Sequence, residues 1–330
     1  MYKRNESAER NVESICYEET HIQAVLSAIR ESFDNYFPGF IETHAGMTLS
    51  VDQFEKLRQR MGVQKYTGLL KKDPTVRYKS IIRESIVAFE HDRIAYEQIL
   101  DMNALEEYEE DPNTFKTRIL GAQCPVIRKT LANRKAKELD KYRLDFRRSN
   151  PDGLLSVVTR LCTFAEEYIT TTYDATTYEK CEHYRDLHLE LLDTEDYTYF
   201  GVIGGGIKTM MLYKLNPMVF PSRSRNAVWA LWFLSGKQDF GCRMSSEFLM
   251  IDVQKVITQQ NYFYPYTLFA YYAFEVYKML RDKAYDLGAY IDPAYRYVIV
   301  DAFFDYVASE HLAEIKLLSK QLSEEEYYCA

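Results

Sequence analysis

The chain is 330 residues long, 47% hydrophobic and 27% charged, a composition able to bury a sizeable core and unlike that of a disordered protein. A formal net charge of -8 excludes a surface that attracts polyanions everywhere, so any nucleic-acid site has to be a local basic patch. With 13 glycines and 9 prolines against 28 tyrosines and 18 phenylalanines, long helices are favoured over a many-turned β architecture, and the expected fold class is all-α or nearly so. The cysteines, Cys16, Cys124, Cys162, Cys181, Cys242 and Cys329, show no paired spacing, and the start of the chain is polar. Reduced thiols and a cytoplasmic location are the expectation. No uncharged apolar run approaches the length of a membrane span, so no membrane partner is expected.

In chain order, Ile22, Val25, Leu26, Ile29 and Phe33 predict a helix over 21–33 that Phe37-Pro38-Gly39 breaks. A second helix is predicted over 76–100. The acidic stretch Glu106-Glu107-Tyr108-Glu109-Glu110-Asp111-Pro112 follows as a solvated end. Pro125 opens a helical pattern running to Arg148 with nine cations against three acids, the one sizeable basic block in the sequence. Ser149-Asn150-Pro151-Asp152-Gly153 is the predicted boundary between an N-terminal helical lobe, 1–150, and a C-terminal lobe, 151–330. Helices over 153–170 and 176–192 come next, then a glycine turn with a short helix over 201–215 and a helix over 224–234. Phe248-Leu249-Met250-Ile251 suits a buried strand or a helix equally, and two long helices, 263–286 and 293–321, complete the multi-helix bundle.

The most informative stretch is Tyr199-Phe200-Gly201-Val202-Ile203-Gly204-Gly205-Gly206-Ile207-Lys208-Thr209, with four glycines in six positions. Such a cluster serves a tight turn with positive φ or a closely approached backbone, and at a helix start its amides attract an anion. Gly204-Gly205-Gly206-Ile207-Lys208-Thr209 resembles the Gly-x-Gly-x-Lys-Thr hairpin of helix-hairpin-helix DNA-binding proteins, including the DNA glycosylase superfamily. The resemblance implies that Gly204 and Gly206 shape a hairpin, that Lys208 supplies charge and that Thr209 caps or contacts a DNA phosphate. The catalytic aspartate of the glycosylases has no counterpart in Pro221-Ser222-Arg223-Ser224-Arg225, so binding without base excision is what the resemblance implies. Gly201 and Gly206 also have P-loop spacing, but Ile207 displaces the lysine and the strand-helix alternation of that fold is missing.

Arg223 and Arg225 at a predicted helix start face an unfavourable dipole, which points to an anionic partner. Together with Arg128, Arg134 and Lys135 of the basic block they extend the expected phosphate footprint of Gly204, Gly206, Lys208 and Thr209. Trp229 and Trp232 read as core. Cys181, His183 and His188 cannot converge from one straight helix, so neither a metal nor another cofactor is expected. The leading expectation is non-catalytic binding of a DNA or RNA backbone. The alternatives are a helical scaffold using a protein partner or self-association, and a metal-dependent nucleic-acid enzyme using Asp239, Glu247 or Asp252.

Overall fold

The computed structural model describes residues 14–43, 73–134, 139–238, 248–252, 257–261 and 264–325. The fold is a multi-helix one, all-α apart from a single hairpin among the described residues. Its α-helices of more than four residues are α1 (Glu19–Thr43), α2 (Pro74–Ile99), α3 (Met102–Glu107), α4 (Pro125–Ala132), α5 (Asp140–Arg148) and α6 (Pro151–Glu167), followed by α7 (Gly205–Leu215), α8 (Arg225–Leu234), α9 (Tyr266–Asp286), α10 (Arg296–Glu310) and α11 (Leu312–Glu325). Strands β1 (Leu249–Asp252) and β2 (Ile257–Gln260) pair antiparallel, Leu249 opposite Gln260. The ambiguous run at 248–251 therefore resolves as strand because a partner strand follows it. No described helix is long and apolar enough to cross a membrane.

The described residues gather into two compact units, one drawn from 90–225 and 261–273 and the other from 15–89, 226–260 and 274–330. This differs from the expected division at residue 150. Asn150 caps α6 by accepting from the Gly153 amide at 3.1 Å, and Pro151 occupies the first turn, where its missing N–H costs nothing. The Lys116 ammonium donates to the Ser149 carbonyl at 2.6 Å and the Asn150 amide to the Tyr199 hydroxyl at 2.8 Å. The turn chemistry read as a linker is thus a packed corner between two helices of the first unit.

In that first unit α6 is the central element. Leu154, Leu155, Val157, Val158, Leu161, Cys162, Phe164 and Ala165 are buried at helical spacing while Asp152, Ser156, Arg160 and Glu167 stay exposed, so it is amphipathic with a wide buried face. Against it pack α3, the π-helical stretch Phe115–Leu120, the turn Glu195–Tyr197 and α7. In the second unit, Phe33 and Phe40 of α1 meet Phe303 of α10 at ring distances of 5.2 and 5.3 Å, and the buried Tyr78 hydroxyl of α2 donates to the Leu280 carbonyl at 2.9 Å. Trp229 and Trp232 of α8 are buried there.

Several predicted helices differ from those observed. The first runs through Pro38 to Thr43 rather than stopping at Phe37, because Phe37, Phe40 and Ile41 continue its buried stripe. The pattern over 125–148 forms two helices, with the first ending at Asn133, whose ψ of 81° leaves the helical region. No long helix forms over 176–192. His183 and Asp186 build a reciprocal cap around Tyr184–Leu187, and His188 then adopts φ 50°, which ends it. Residues 293–321 divide at His311.

Candidate nucleic-acid interface

The glycine segment is built around a tight turn. Tyr199 and Ile203 form an isolated antiparallel bridge, and Gly201 between them has φ 82°, with the Asp145 carboxylate 2.7 Å from where a Cβ would stand. Gly204 then serves as the N-cap of α7 with ordinary negative φ, and a Cβ added there would meet nothing within 4 Å. Before this turn come the 3-10 turns Glu190–Asp193 and Glu195–Tyr197, so α7 is the one helix flanking it.

Lys208 lies on α7 with 6% of its surface exposed and donates its ammonium protons to the Leu192 carbonyl and to the Thr198 hydroxyl at 3.3 Å. Thr209 is fully buried; its hydroxyl donates to the Gly205 carbonyl at 2.7 Å and accepts from the Arg223 amide at 3.0 Å. The Arg223 guanidinium, also 6% exposed, donates to the Tyr264 carbonyl at 2.7 Å and to the Asn261 carbonyl. Here the structure corrects the expected footprint: Lys208, Thr209 and Arg223 are brought together, but inside the unit, where their polar groups bind main chain rather than a phosphate. Burial drives this, because a charged group taken out of water has to find internal partners; the Arg223 guanidinium also lies 5.8 Å from the centre of the Phe269 ring.

Asp193, for which no local pattern gave a signal, completes the cluster. Its carboxylate accepts from the Tyr266 and Thr267 amides at 2.6 and 3.2 Å, capping α9 across 73 residues of chain. Burial raises the Asp193 pKa even though the residue retains solvent access, while the Tyr266 and Thr267 amides and the charges of Lys208 and Arg223 oppose the rise. Burial likewise pulls Lys208 down to about 8, against the pull of Asp193. An amine in that range is a competent base or nucleophile only where a substrate reaches it; enclosed as it is, this lysine is an internal brace.

Tyrosines secure the same irregular region. Tyr168 donates to the Leu187 carbonyl at 2.6 Å, Tyr178 to Val219 at 3.3 Å, Tyr266 to Pro221 at 2.9 Å, and Tyr271 to Glu182. Their rings fill the core while the hydroxyls satisfy carbonyls that no helix or sheet pairs.

The basic block has the opposite character. Arg128, Lys129, Arg134, Arg147 and Arg148 are exposed, and none has an acidic partner among the described residues. Within the same block Arg143 pairs with Asp140 at 2.5 Å and reaches the Asn133 carbonyl at 2.7 Å, tying α5 to the end of α4, while Lys141 pairs with Asp145 at 3.3 Å. At the C-terminus of α5 the carbonyls of Arg147 and Phe146 are taken by Lys116 at 2.9 Å and by the Ser149 hydroxyl at 2.7 Å. Capping is therefore done without the arginine side chains, which are left facing solvent. Helix α7 packs on α4, so glycine turn and basic block belong to one unit. Gly206 is half-buried and Arg225 exposed at the start of α8; Lys135 lies outside the described residues.

Comparison with protein-family models, with curated proteins and with solved structures gave no match to this chain. Among the described residues no three His, Cys, Asp or Glu side chains gather as metal ligands: Cys181 is buried, and the His183 ring accepts from the Arg185 amide at 3.2 Å. Of the residues considered for metal-dependent cleavage, Asp239 and Glu247 lie outside the described residues, as does the side chain of Asp252.

Proposed function

We propose that this protein binds the phosphate backbone of nucleic acid, without chemistry, on the exposed basic surface of α4 and α5. The observation that carries the reading is the set Arg128, Lys129, Arg134, Arg147 and Arg148, exposed and without an acidic partner among the described residues, in a chain that holds 49 acids against 41 cations. By contrast, Arg93 is paired with Glu90 and Glu97, Lys283 with Asp34 and Lys237 with Glu314. Five cations on α4, α5 and the turn after α4, without acidic partners among the described residues, maintain a positive field of the kind phosphates seek, and arginine forks suit phosphate oxygens. Such contacts fix position rather than read sequence. Lys208 and Arg223, bound to main-chain carbonyls inside the unit, take no part in this surface.

The test is fluorescence anisotropy of a short labelled duplex and its single strand with the full chain. The double substitution Arg147→Glu, Arg148→Glu is expected to weaken binding by roughly tenfold or more. Undetectable binding of both nucleic acids at low salt, or affinity indifferent to this substitution, overturns the proposal.

A further inference from the structure

Helix α2 has two apolar sides. Tyr78, Ile81, Ile82 and Phe89 form the buried one. On the other, Ile86 and Val87 border a groove of about 270 Å³ that Ile82 floors and Tyr290 walls, with Lys79 and Arg83 along its edge. Val87 is 64% exposed and Tyr290 73% exposed, a large apolar surface to leave in water.

The wall is built in place. Helix α9 ends with the Ala289 amide bound to the Ala284 carbonyl at 2.7 Å and Gly288 at φ 60°, a left-handed cap that reverses the chain toward α2. Ile291 is buried directly after Tyr290, Asp292 caps the following turn, and Tyr295 packs on Phe89 at a ring distance of 6.3 Å. Tyr290 is therefore held by its neighbours on both sides while its own ring stays in solvent, so occupation of the groove orders little that is not already ordered.

Charge says what fits. Lys79 and Arg83 stand one helical turn apart on the exposed side of α2, and neither has an ion-pair partner among the described residues. The acids closest in sequence are otherwise engaged: Glu84 accepts from the Ser80 hydroxyl at 2.7 Å, and Asp73 from the Thr75 amide at 2.7 Å, with only a minor electrostatic pull from Lys79. Two unpaired cations one turn apart, beside an aliphatic depression with an aromatic wall, complement carboxylates one turn apart on a facing helix whose leucine or phenylalanine enters the groove.

We infer that this groove of α2 docks an acidic amphipathic helix of a protein partner. The site uses none of the residues assigned to phosphate binding, so the two readings stand or fall separately.

The probe is a fluorescent, conformationally locked helical peptide with leucines along one side flanked by glutamates, and a twin with lysines in place of the glutamates, each titrated with the full chain. The acidic peptide is expected to bind, and Lys79→Glu with Arg83→Glu, or Val87→Asp, to weaken it roughly tenfold or more. Tyr290→Ala gives an independent reading from the other wall. All four side chains are exposed, so thermal unfolding should be unchanged, and so should duplex binding. Equal binding of the lysine twin, no binding of the acidic peptide, or affinity indifferent to these substitutions overturns the inference. A dimer in sedimentation that Val87→Asp dissociates also overturns it, because the occupant is then a second copy of this chain.

Discussion

At Gly201 a positive φ and the Asp145 carboxylate together exclude a side chain, whereas three residues further on Gly204 has open space and ordinary backbone angles. Gly201→Ala is therefore expected to cost about 1–2 kcal/mol in chemical denaturation and Gly204→Ala a good deal less. Equal costs would mean that the turn relaxes around a Cβ. Lys208 makes a different expectation, because its pKa is lowered on folding to about 8 from the ordinary 10.5. Between these values the unfolded chain binds more protons, so the lysine's contribution to stability rises with pH; below about 8 its burial penalty is fully present, at most about 3 kcal/mol. The buried thiols of Cys124 and Cys162, pushed up to about 11 and about 12, act in the opposite sense as pH rises. The useful quantity is thus the stability of the wild-type chain minus that of Lys208→Met, in which the thiols cancel. That difference should increase from pH about 8 to about 9.5, before tyrosine ionisation intrudes. A flat difference would show that Lys208 does not titrate there.

Among elements, α1 shows how tertiary packing overrides local signals. Pro38 removes one helical hydrogen bond, and a proline-glycine pair ordinarily ends a helix. Here the Tyr306 hydroxyl of α10 stands 2.1 Å from where a Gly39 Cβ would be, and Phe33, Phe37 and Phe40 are all buried. The glycine admits the tyrosine, and the phenylalanines hold the turn helical. Gly39→Ala should destabilise by about 1–3 kcal/mol through overpacking, less its gain in helix propensity, and Tyr306→Phe should partly rescue it. Full additivity of the two changes in a double-mutant cycle would refute the contact. The basic block was legible in composition but not in form. Nine cations in 24 positions stand out, yet nothing local marks the break at Asn133, which the Arg143 guanidinium then occupies.

For the molecule as a whole, the net charge of -8 and the proposed phosphate surface set a quantitative expectation. If binding is local to Arg128, Lys129, Arg134, Arg147 and Arg148, the logarithm of the duplex affinity should fall against the logarithm of salt concentration with a slope of about -4 to -5. Loss of Arg147 and Arg148 should reduce that slope by about two. A slope near zero would point to contacts other than phosphate.

Helix content, the buried tryptophans and the net positive charge of the basic block were determined by the sequence alone, because burial stripes, propensity and net local charge are properties of neighbouring residues. The path of the chain was not. Asp193 caps α9 from far away, and Lys208 and Arg223, whose sequence context suits an external phosphate, have the carbonyls of Leu192, Tyr264 and Asn261 as partners. A cation's local sequence says that it needs an oxygen. Whether that oxygen is supplied by the protein or by a partner is decided only when distant segments fold against it.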